Sequence, residues 1–388
     1  MSSLSFIHID DPDTFLCAIG FQCGSIHETP NISGISHLLE HIIFRSHKDI
    51  FFNHLQKSGI LYNGVTGKDY TMYYAASTMN EAISTLKVFQ KITHSFKVSK
   101  SDFEKERKIV LEELAMFATS SNNIFKLIHK GTPYASSVIG TIKSLKNITF
   151  QQIEEYYNMH YTYPVTLVIC HKKWEKRLRK HVNPPYTRPI PLLLDFNINR
   201  GLTVNEKLIE TICKHEKYDY GIISFMGYPA SDSKNMMCHF IAFVLRRLLF
   251  YELRVKRALV YMVSCIYKSF LHTGYFMIRF NTNSGETENI LDLIHSIIAK
   301  LKRDGISQKQ FDEAFQAFKK RTSVQKNTIH INLIQEEMLN LLYNTNKDVS
   351  LIAIDGFKEM CQSIFTSNRC AFILRSRKHL PYRLKNLF

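Results

Sequence analysis

Apolar and polar residues alternate in three stretches of the first half of the chain. Residues 4–9 and 14–23 alternate, and the polar run 10–13 separates them, which predicts a β-hairpin. Residues 60–76 alternate again and indicate a further strand. The short apolar run 165–170 is typical of a buried strand.

Helix starts are indicated by capping boxes and by a glycine. Thr78 and Ser101 are each followed three residues later by a glutamate, a pattern that opens helices. A further helix is predicted after Gly34, and another over residues 153–160. The second half repeats the same broad order without a visible sequence repeat. The pattern there predicts strands near 221–227, 261–281 and 370–375, and helices near 235–253, 286–303, 308–323 and 331–343.

Length and proline content divide the chain. A chain of 388 residues exceeds the size at which one core usually keeps growing. Four of the ten prolines lie between residues 184 and 191, which suits an extended connector. We therefore predict a first domain over residues 1–178, a Pro-rich linker over 179–198 and a second domain over 199–388. The expected fold class is α+β, with two similar domains that each pack an antiparallel-rich sheet with helices.

The composition is that of an ordinary globular protein, with 45% apolar and 22% charged residues. No apolar run approaches the ~18–20 residues needed to cross a bilayer, and the first residues lack the basic segment of a signal peptide. The eight cysteines form no Cys-x-x-Cys pair and suit a reducing compartment. A cytoplasmic protein without a membrane span is expected.

The formal net charge of +16 favours acidic partners, although it also serves solubility alone. Basic residues are dense at 172–180 and 375–385, but aromatic residues do not alternate regularly with them. No nucleic-acid-binding motif is recognisable. A nucleic-acid partner is therefore not expected.

The pattern with the most chemical content is His37-Leu38-Leu39-Glu40-His41. Residues three and four positions apart share a helix face, so His37, Glu40 and His41 point the same way. Imidazole nitrogens are preferred zinc ligands, and His-x-x-Glu-His is an inverted zinc-peptidase motif. The two histidines are predicted to bind one zinc ion per chain, with Glu40 as the general base for the attacking water.

A third zinc ligand is expected from a predicted helix over residues 101–117. At about 100° per residue, Glu113 lies at the edge of the apolar stripe and Glu112 points toward water. A carboxylate at the edge of a buried stripe is costly unless it meets a cation. Glu113 is therefore the predicted ligand, and Glu106, on the same face, is a second carboxylate beside it.

Simpler interpretations stay open at this point. An ordinary helix with two surface histidines also fits the motif, and a solvated helix position also fits Glu106. His47 and His54 lie nearby but off the motif's spacing, so they suit surface or supporting positions.

The residues around the motif resemble the pitrilysin/insulinase metallopeptidases, most closely the mitochondrial-processing-peptidase branch. The resemblance covers nearly the whole chain and is thinner after residue 200. It implies a zinc-dependent endopeptidase acting on peptides or unfolded protein segments, with Glu106 and Glu113 as the family's supporting and zinc-binding glutamates. The matching segments are 20–28, 34–41, 63–66, 69–74, 106–113, 133–134, 139–141 and 157–164.

In the second half, residues 253–261 resemble the family's arginine–tyrosine element. The resemblance implies that Arg254 and Tyr261 bind substrate backbone near the zinc. The substrate itself is expected to add as a β-strand to a sheet edge near Asn63–Tyr74. A salt-bridged helix residue and a half-buried strand aromatic are the simpler interpretations of Arg254 and Tyr261.

Two departures from the family pattern stand out. Residues 244–249 replace the small, Gly/Ser-rich turn often found before the arginine, and Ala258 stands where the family has a glycine. By resemblance, short members pair into dimers that enclose a chamber. Because one chain carries both the zinc motif and the Arg254 and Tyr261 pair, a homodimer with two active sites is expected.

The alternative is a non-catalytic structural or assembly subunit that kept the peptidase fold, as in the family's respiratory-complex core proteins. The intact motif over residues 37–41 favours the enzyme. Family members also occur in large DNA viruses, and the high Phe, Tyr, Ile and Lys content suggests an AT-rich genome. If the source is viral, the host cytoplasm or the virion is the expected location.

Overall fold

The computed structural model describes residues 3–116, 121–183, 208–213, 217–283, 285–328, 330–345 and 352–379. The chain forms two compact units. Unit 1 comprises Met1–Thr119, Ser136–Leu194 and Gln325–Thr345, and unit 2 comprises Ser120–Ala135, Asp195–Val324 and Asn346–Phe388. Within the predicted linker 179–198, residues 184–198 lie outside the described residues.

Unit 1 contains a five-stranded sheet with the order β1-β5-β2-β4-β3. β1 pairs with β5 in parallel, and the other neighbours are antiparallel. The strands are β1 Leu4–His8, β2 Thr14–Phe21, β3 Leu61–Thr66, β4 Thr71–Thr78 and β5 Val165–Cys170.

The predicted hairpin of the first two strands is wrong, because β5 lies between β1 and β2. All six residues of β5 are buried, and an apolar strand of this kind belongs in the interior of a sheet rather than at its edge. Alternation alone predicted the two N-terminal strands but not their partners.

The single strand predicted over residues 60–76 is two strands joined by a tight turn. β3 and β4 pair antiparallel, and the amide of Gly67 donates to the carbonyl of Tyr70 across the turn at 2.8 Å. The Gly67-Lys68-Asp69 sequence is a turn signal that the alternation pattern concealed.

Helices cover both faces of the first sheet. One helix start was misplaced: the amide of Asp102 donates to the Ser99 hydroxyl at 3.0 Å, so Ser99 rather than Ser101 caps its helix. Thr78 precedes a short 3-10 turn, and its side chain makes no capping bond. The helices of unit 1 are α1 Ile35–Ser46, α2 Lys48–Ile50, α3 Ala82–His94, α4 Lys100–Met116, α6 Ile142–Asn147, α7 Phe150–His160, α8 Glu175–Arg179 and α12 His330–Tyr343.

Unit 2 repeats this topology with the order β6-β10-β7-β9-β8, and again the first pair is parallel. The α+β prediction of two similar domains is confirmed. The strands are β6 Leu208–Ile212, β7 Tyr218–Gly227, β8 Val260–Ser269, β9 Gly274–Asn283 and β10 Cys370–Ser376. The helices are α5 Ser121–Ile128, α9 Asn235–Leu249, α10 Thr287–Asp304, α11 Gln308–Thr328 and α13 Phe357–Ile364.

Each sequence half contributes one helix to the other half's sheet. α12, from the second half, packs against β2 and β5 of unit 1. Gly20 permits this approach, since a Cβ there would lie 2.6 Å from the sulfur of Met338. α5, from the first half, packs against β7 and β10 of unit 2 through Ile124 and Ile128. Each sheet is therefore completed by a distant segment of the chain.

No helix within the described ranges is both long and apolar enough to cross a membrane.

Candidate metal centre

The helix α1 begins at a sharply turned N-terminus. Gly34 adopts φ +93°, a left-handed conformation that glycine accepts readily. The half-buried carboxylate of Glu28 accepts hydrogen bonds from the amides of Gly34 at 2.7 Å and Ser36 at 2.9 Å. Amides of the first turn lack partners within the helix, and a carboxylate there also favours the helix dipole. These contacts fix the turn that carries His37.

Three side chains converge beside α1. The Oε2 atom of Glu113 lies 3.5 Å from Nε2 of His41 and 3.8 Å from Nε2 of His37. Ligand atoms of this group all lie within 4.8 Å of one another, and it is the only such group of three or more found among the residues described. The predicted ligands His37, His41 and Glu113 are thus brought together.

The spacing of these atoms suits a metal ion. Both distances exceed the ~2.7–3.2 Å of an N–H···O hydrogen bond. Tetrahedral zinc with bonds of about 2.0–2.1 Å separates its ligand atoms by about 3.3–3.5 Å. Two imidazoles and one carboxylate are also the ligand chemistry of catalytic zinc sites with three protein ligands. The residues present therefore fit a zinc ion.

Burial and charge set different pKa values for the two histidines. Burial and the neighbouring His41 lower the pKa of His37 to about 3, which leaves a neutral imidazole. Burial lowers the pKa of His41 as well, but the Glu106 hydrogen bond and the charges of Glu40, Glu113 and Glu106 raise it on balance. Both histidines can ligate a metal, since neutral imidazole binds directly and a metal displaces the proton of the other.

Glu106 stands behind His41 rather than among the three ligands. Its Oε2 lies 3.4 Å from Nδ1 of His41, the ring nitrogen that faces away from Glu113. Only 7% of Glu106 is exposed, which excludes the solvated helix position. Arg45 approaches Oε1 of Glu106 at 3.7 Å and pairs with Asp102 at 3.1 Å. A carboxylate in this position orients a metal-binding histidine.

Glu40 lies on the same face of α1 and is 8% exposed. Burial raises its pKa, while a hydrogen bond from Thr66 and the charge of His41 partly oppose that shift. The Thr66 hydroxyl donates to Oε2 at 2.5 Å. The structure thus places a carboxyl group with a raised pKa beside the three converging side chains.

The helix-face argument separates the neighbouring glutamates of α4. Glu112 is exposed and lies 3.9 Å from Lys108, whereas Glu113 turns toward the histidines. His47 bonds to the carbonyl of Ser95 at 2.9 Å, and His54 is exposed. Neither of these two histidines belongs to the ligand group.

An open cavity of about 460 Å³ adjoins the site. Asn63, predicted to bind substrate, lies on its wall with Tyr62 of the edge strand β3. The lining residues are Glu40, His41, Phe44, Arg45, Lys48, Gln56, Tyr62, Asn63 and Glu106.

Arg254 and Tyr261 lie together in unit 2. α9 continues into a π-helical segment, Phe250–Val255, which carries Arg254. Its guanidinium donates to the carbonyl of Val260 at 2.9 Å and lies 5.6 Å from the centre of the Tyr261 ring. Tyr261 is 76% exposed, so it is not a half-buried strand aromatic. Neighbouring Glu252 pairs with Arg257, and among the residues that the structure describes no carboxylate forms a salt bridge with Arg254.

The two sequence departures have structural counterparts. Residues 244–249 belong to α9, so the segment is helix rather than a turn. Ala258 adopts φ +53°, the left-handed region that L-residues avoid. The position needs the conformation that the family's glycine supplies.

In unit 2, the two helices that match α1 and α4 in the order of elements pack aromatic rings against each other. Phe240 of α9, the counterpart of α1, lies 5.2 Å from Phe311 and 5.7 Å from Phe318 of α11, the counterpart of α4. These apolar side chains offer no metal ligands, and the one ligand group found in the part of the chain that the structure describes belongs to unit 1.

Sequence reasoning missed Thr66, Glu28 and Arg45. Thr66 lies in a segment that carried the family resemblance, but no local pattern links a strand hydroxyl to a helix carboxylate 26 positions earlier. Glu28 had a weak signal, since it precedes the helix start by a few residues, the region where acidic groups favour the helix dipole.

Two family models match the chain. The one described as Insulinase (Peptidase family M16) matches residues 7–141, and the one described as Peptidase M16 inactive domain matches residues 180–318. Together they span well over half of the chain. The three converging side chains all lie within the first match.

Two relatives show the range of the likeness. "Uncharacterized zinc protease YmxG" of Bacillus subtilis (strain 168) is 21% identical over 402 residues. The alignment covers 96% of this chain and 96% of the length of YmxG. "Cytochrome b-c1 complex subunit 1, mitochondrial" of Bos taurus is 27% identical over 159 residues, covering 38% of this chain and 33% of its own. One relative is thus named as a zinc protease and the other as a subunit of the cytochrome b-c1 complex.

A solved structure supports the fold. The crystal structure of a peptidase M16 inactive domain from Pseudomonas fluorescens matches with a TM-score of 0.80 at 14% identity, covering 97% of this chain and 95% of that one. At this identity the likeness concerns the fold alone.

Proposed function

Because the chain belongs to the insulinase family of peptidases, we propose that it is a zinc-dependent endopeptidase acting on peptides or unfolded protein segments. The observation that carries the proposal is the convergence of His37, His41 and Glu113, with the buried carboxyl group of Glu40 on the same face of α1. The three converging residues bind one zinc ion per chain, and Glu40 and Glu106 act in catalysis.

Zinc in this position supplies Lewis acidity and makes water acidic enough to react near neutral pH. Glu40 takes a proton from the attacking water as the water oxygen bonds to the carbonyl carbon of the substrate. It then delivers that proton to the amine nitrogen as the C–N bond breaks. Burial raises the pKa of Glu40, which makes its carboxylate a stronger proton acceptor. Glu106 holds His41 in orientation through Nδ1.

The substrate adds as a strand along β3, the edge of the first sheet. Main-chain hydrogen bonds supply much of the binding, and Asn63 contributes from the cavity wall. Arg254 and Tyr261 bind substrate backbone from the second domain, and their shared contact fixes the guanidinium against the exposed ring.

Tyr261→Phe is expected to raise KM several-fold, with zinc content unchanged. An unaltered KM counts against this binding role.

Cleavage of an unstructured peptide library tests the proposed activity. The zinc-loaded protein should cleave internal bonds, lose activity in a chelator and regain it when zinc is restored. Mass spectrometry of the products locates the bonds. Chelator-insensitive cleavage, or no cleavage by protein carrying one equivalent of zinc, contradicts the proposal.

A homodimer with two active sites is part of the proposal. It is supported by the presence of the zinc motif and of the Arg254 and Tyr261 pair on the same chain. Analytical ultracentrifugation should show a dimer at micromolar concentration. A monomer alone at that concentration contradicts it.

We place the activity in the cytoplasm. All eight cysteines are thiols and seven are buried, as suits a reducing compartment. If the source is viral, the proposed location of the activity is the host cytoplasm or the virion.

A non-catalytic subunit is the second candidate, and the match to the Bos taurus respiratory-complex subunit favours it. Metal analysis separates the two candidates. The peptidase should purify with, or take up, about one equivalent of zinc. Less than about a tenth of an equivalent after incubation with zinc favours the structural subunit.

A further inference from the structure

Strand β3 meets α1 through every second residue. Tyr62 packs on Phe44 with ring centres 5.9 Å apart. A Cβ on Gly64 would lie 2.5 Å from Oε1 of Glu40, so this carboxylate rests on bare backbone. The Thr66 hydroxyl donates to Oε2 of Glu40 at 2.5 Å. Because strand side chains alternate between faces, residues 62, 64 and 66 form one row against the helix.

We propose that Thr66 is a positioning residue that fixes the carboxylate of Glu40 for proton transfer. The inference rests on the proposed peptidase function and goes beyond it, because it assigns different tasks to the two oxygens of Glu40. Thr66 holds Oε2. Oε1, which lies over Gly64 beside the edge strand, takes the proton from water and returns it to the leaving nitrogen.

The need for such a hold follows from burial. Only 8% of Glu40 is exposed, so its carboxylate has few water molecules to hold it in place. A hydrogen bond to the ionised carboxylate is stronger than one between neutral groups, and it restricts rotation of the carboxylate about its last bond. The backbone of Thr66 also bonds to Glu40. The hydroxyl therefore adds orientation to a contact that would survive its removal.

The arrangement also links substrate binding to the base. Thr66 and Asn63 belong to the same edge strand, the strand along which a peptide substrate adds. A peptide added to this strand therefore lies beside the residue that holds Glu40. Binding and proton transfer then share one strand, without any contact between the Thr66 side chain and the substrate.

Three variants test the inference. Thr66→Val removes the hydroxyl and keeps the β-branched shape, and Thr66→Ser keeps the hydroxyl. Thr14→Val is the matched control. Thr14 also lies in a strand and its hydroxyl also donates to a carboxylate, but that carboxylate belongs to Asp11, which is not part of the site. Each protein is loaded with zinc, its metal content is measured, and kcat and KM are determined on one peptide.

Thr66→Val should retain one equivalent of zinc and a KM within about twofold of the parent, while kcat falls on the order of tenfold or more. Thr66→Ser should recover most of kcat, and Thr14→Val should match the parent. An unchanged kcat in Thr66→Val, an equal loss in Thr66→Ser, or a change confined to KM or zinc content overturns the inference. If the parent protein itself cleaves nothing, the proposed function falls and the inference falls with it.

Discussion

At the scale of single residues, the site brings together groups that are costly to bury side by side. Glu40 and Glu106 are both almost fully enclosed, and burial raises the pKa of Glu40. Burial and His41 lower the pKa of His37 to about 3. A divalent cation lowers the cost of burying these groups, because its charge attracts the nearby carboxylates and because it binds neutral imidazole. The burial and the pKa directions of these side chains therefore support the presence of a metal-binding site.

Two adjacent glutamates provide a sharp test of the ligand assignment. Glu113→Gln should weaken zinc binding by at least about tenfold, because a neutral amide replaces an anionic ligand. Glu112→Gln is the matched control and should leave zinc binding unchanged, since Glu112 is exposed and faces Lys108. Competition with a chelating dye measures both affinities. Equal affinities in the two variants contradict the role of Glu113.

At the scale of elements, a helix, a π-helical segment and an edge strand recur in both units. α1 is followed by α2, the π-helical Phe51–Gln56 and β3, while α9 leads through Phe250–Val255 to β8. The second segment ends where the amide of Leu259 donates to the carbonyl of Leu253 at 2.8 Å. Ala258 provides the left-handed residue of that turn. This is the position at which the chain departs from the family's glycine.

Relief of the strain at Ala258 should stabilise the protein. Left-handed conformation costs an L-residue about 1–2 kcal/mol, and the greater freedom of glycine in the unfolded chain offsets about 0.4–1 kcal/mol of the gain. Ala258→Gly is therefore expected to raise the free energy of unfolding by up to about 1.6 kcal/mol.

Ala299→Gly in the middle of α10 is the opposite control, and it should cost about 1 kcal/mol. Urea denaturation at a fixed zinc concentration measures both changes. A loss of stability in Ala258→Gly as large as that in the control contradicts the conformational argument.

Local sequence patterns predicted the helices and strands better than they predicted which elements pair or pack with each other. The apolar run 165–170 became β5 with the same ends, because burial on both faces leaves a continuous apolar signature. The predicted hairpin was wrong because β5 lies between β1 and β2. No local sequence pattern indicates that a segment beginning at residue 165 inserts between these two strands. In the site, helix periodicity distinguished Glu113 from Glu112. Thr66 was missed because its contact joins a strand to a helix, and periodicity describes one element at a time.

At the scale of the whole molecule, exchanged helices tie the two sequence halves together. α12 buries Ile334, Met338 and Leu342 in unit 1, although it follows β9 in sequence. The Tyr343 hydroxyl donates to the buried carboxylate of Asp69 at 2.5 Å, in the turn between β3 and β4. The sequence marks α12 as amphipathic but does not say which sheet it covers.

This exchange predicts that the halves do not fold independently. Residues 1–198 expressed alone lack α12, so the face of β2 and β5 that α12 covers is left exposed and Asp69 loses the hydrogen bond from Tyr343. The fragment should show no cooperative unfolding transition. Adding residues 199–388 should restore one, as followed by circular dichroism. Cooperative unfolding of residues 1–198 alone, at the temperature of the full chain, contradicts this prediction.

The central claim is that Glu40 acts as the proton-transferring base of a zinc peptidase. The most direct measurement is the turnover of Glu40→Gln, made on protein shown to contain one equivalent of zinc. Glutamine keeps the shape of the side chain but accepts no proton, so turnover should fall on the order of a hundredfold or more while zinc and peptide binding persist. Undiminished turnover in the zinc-loaded variant would contradict the account.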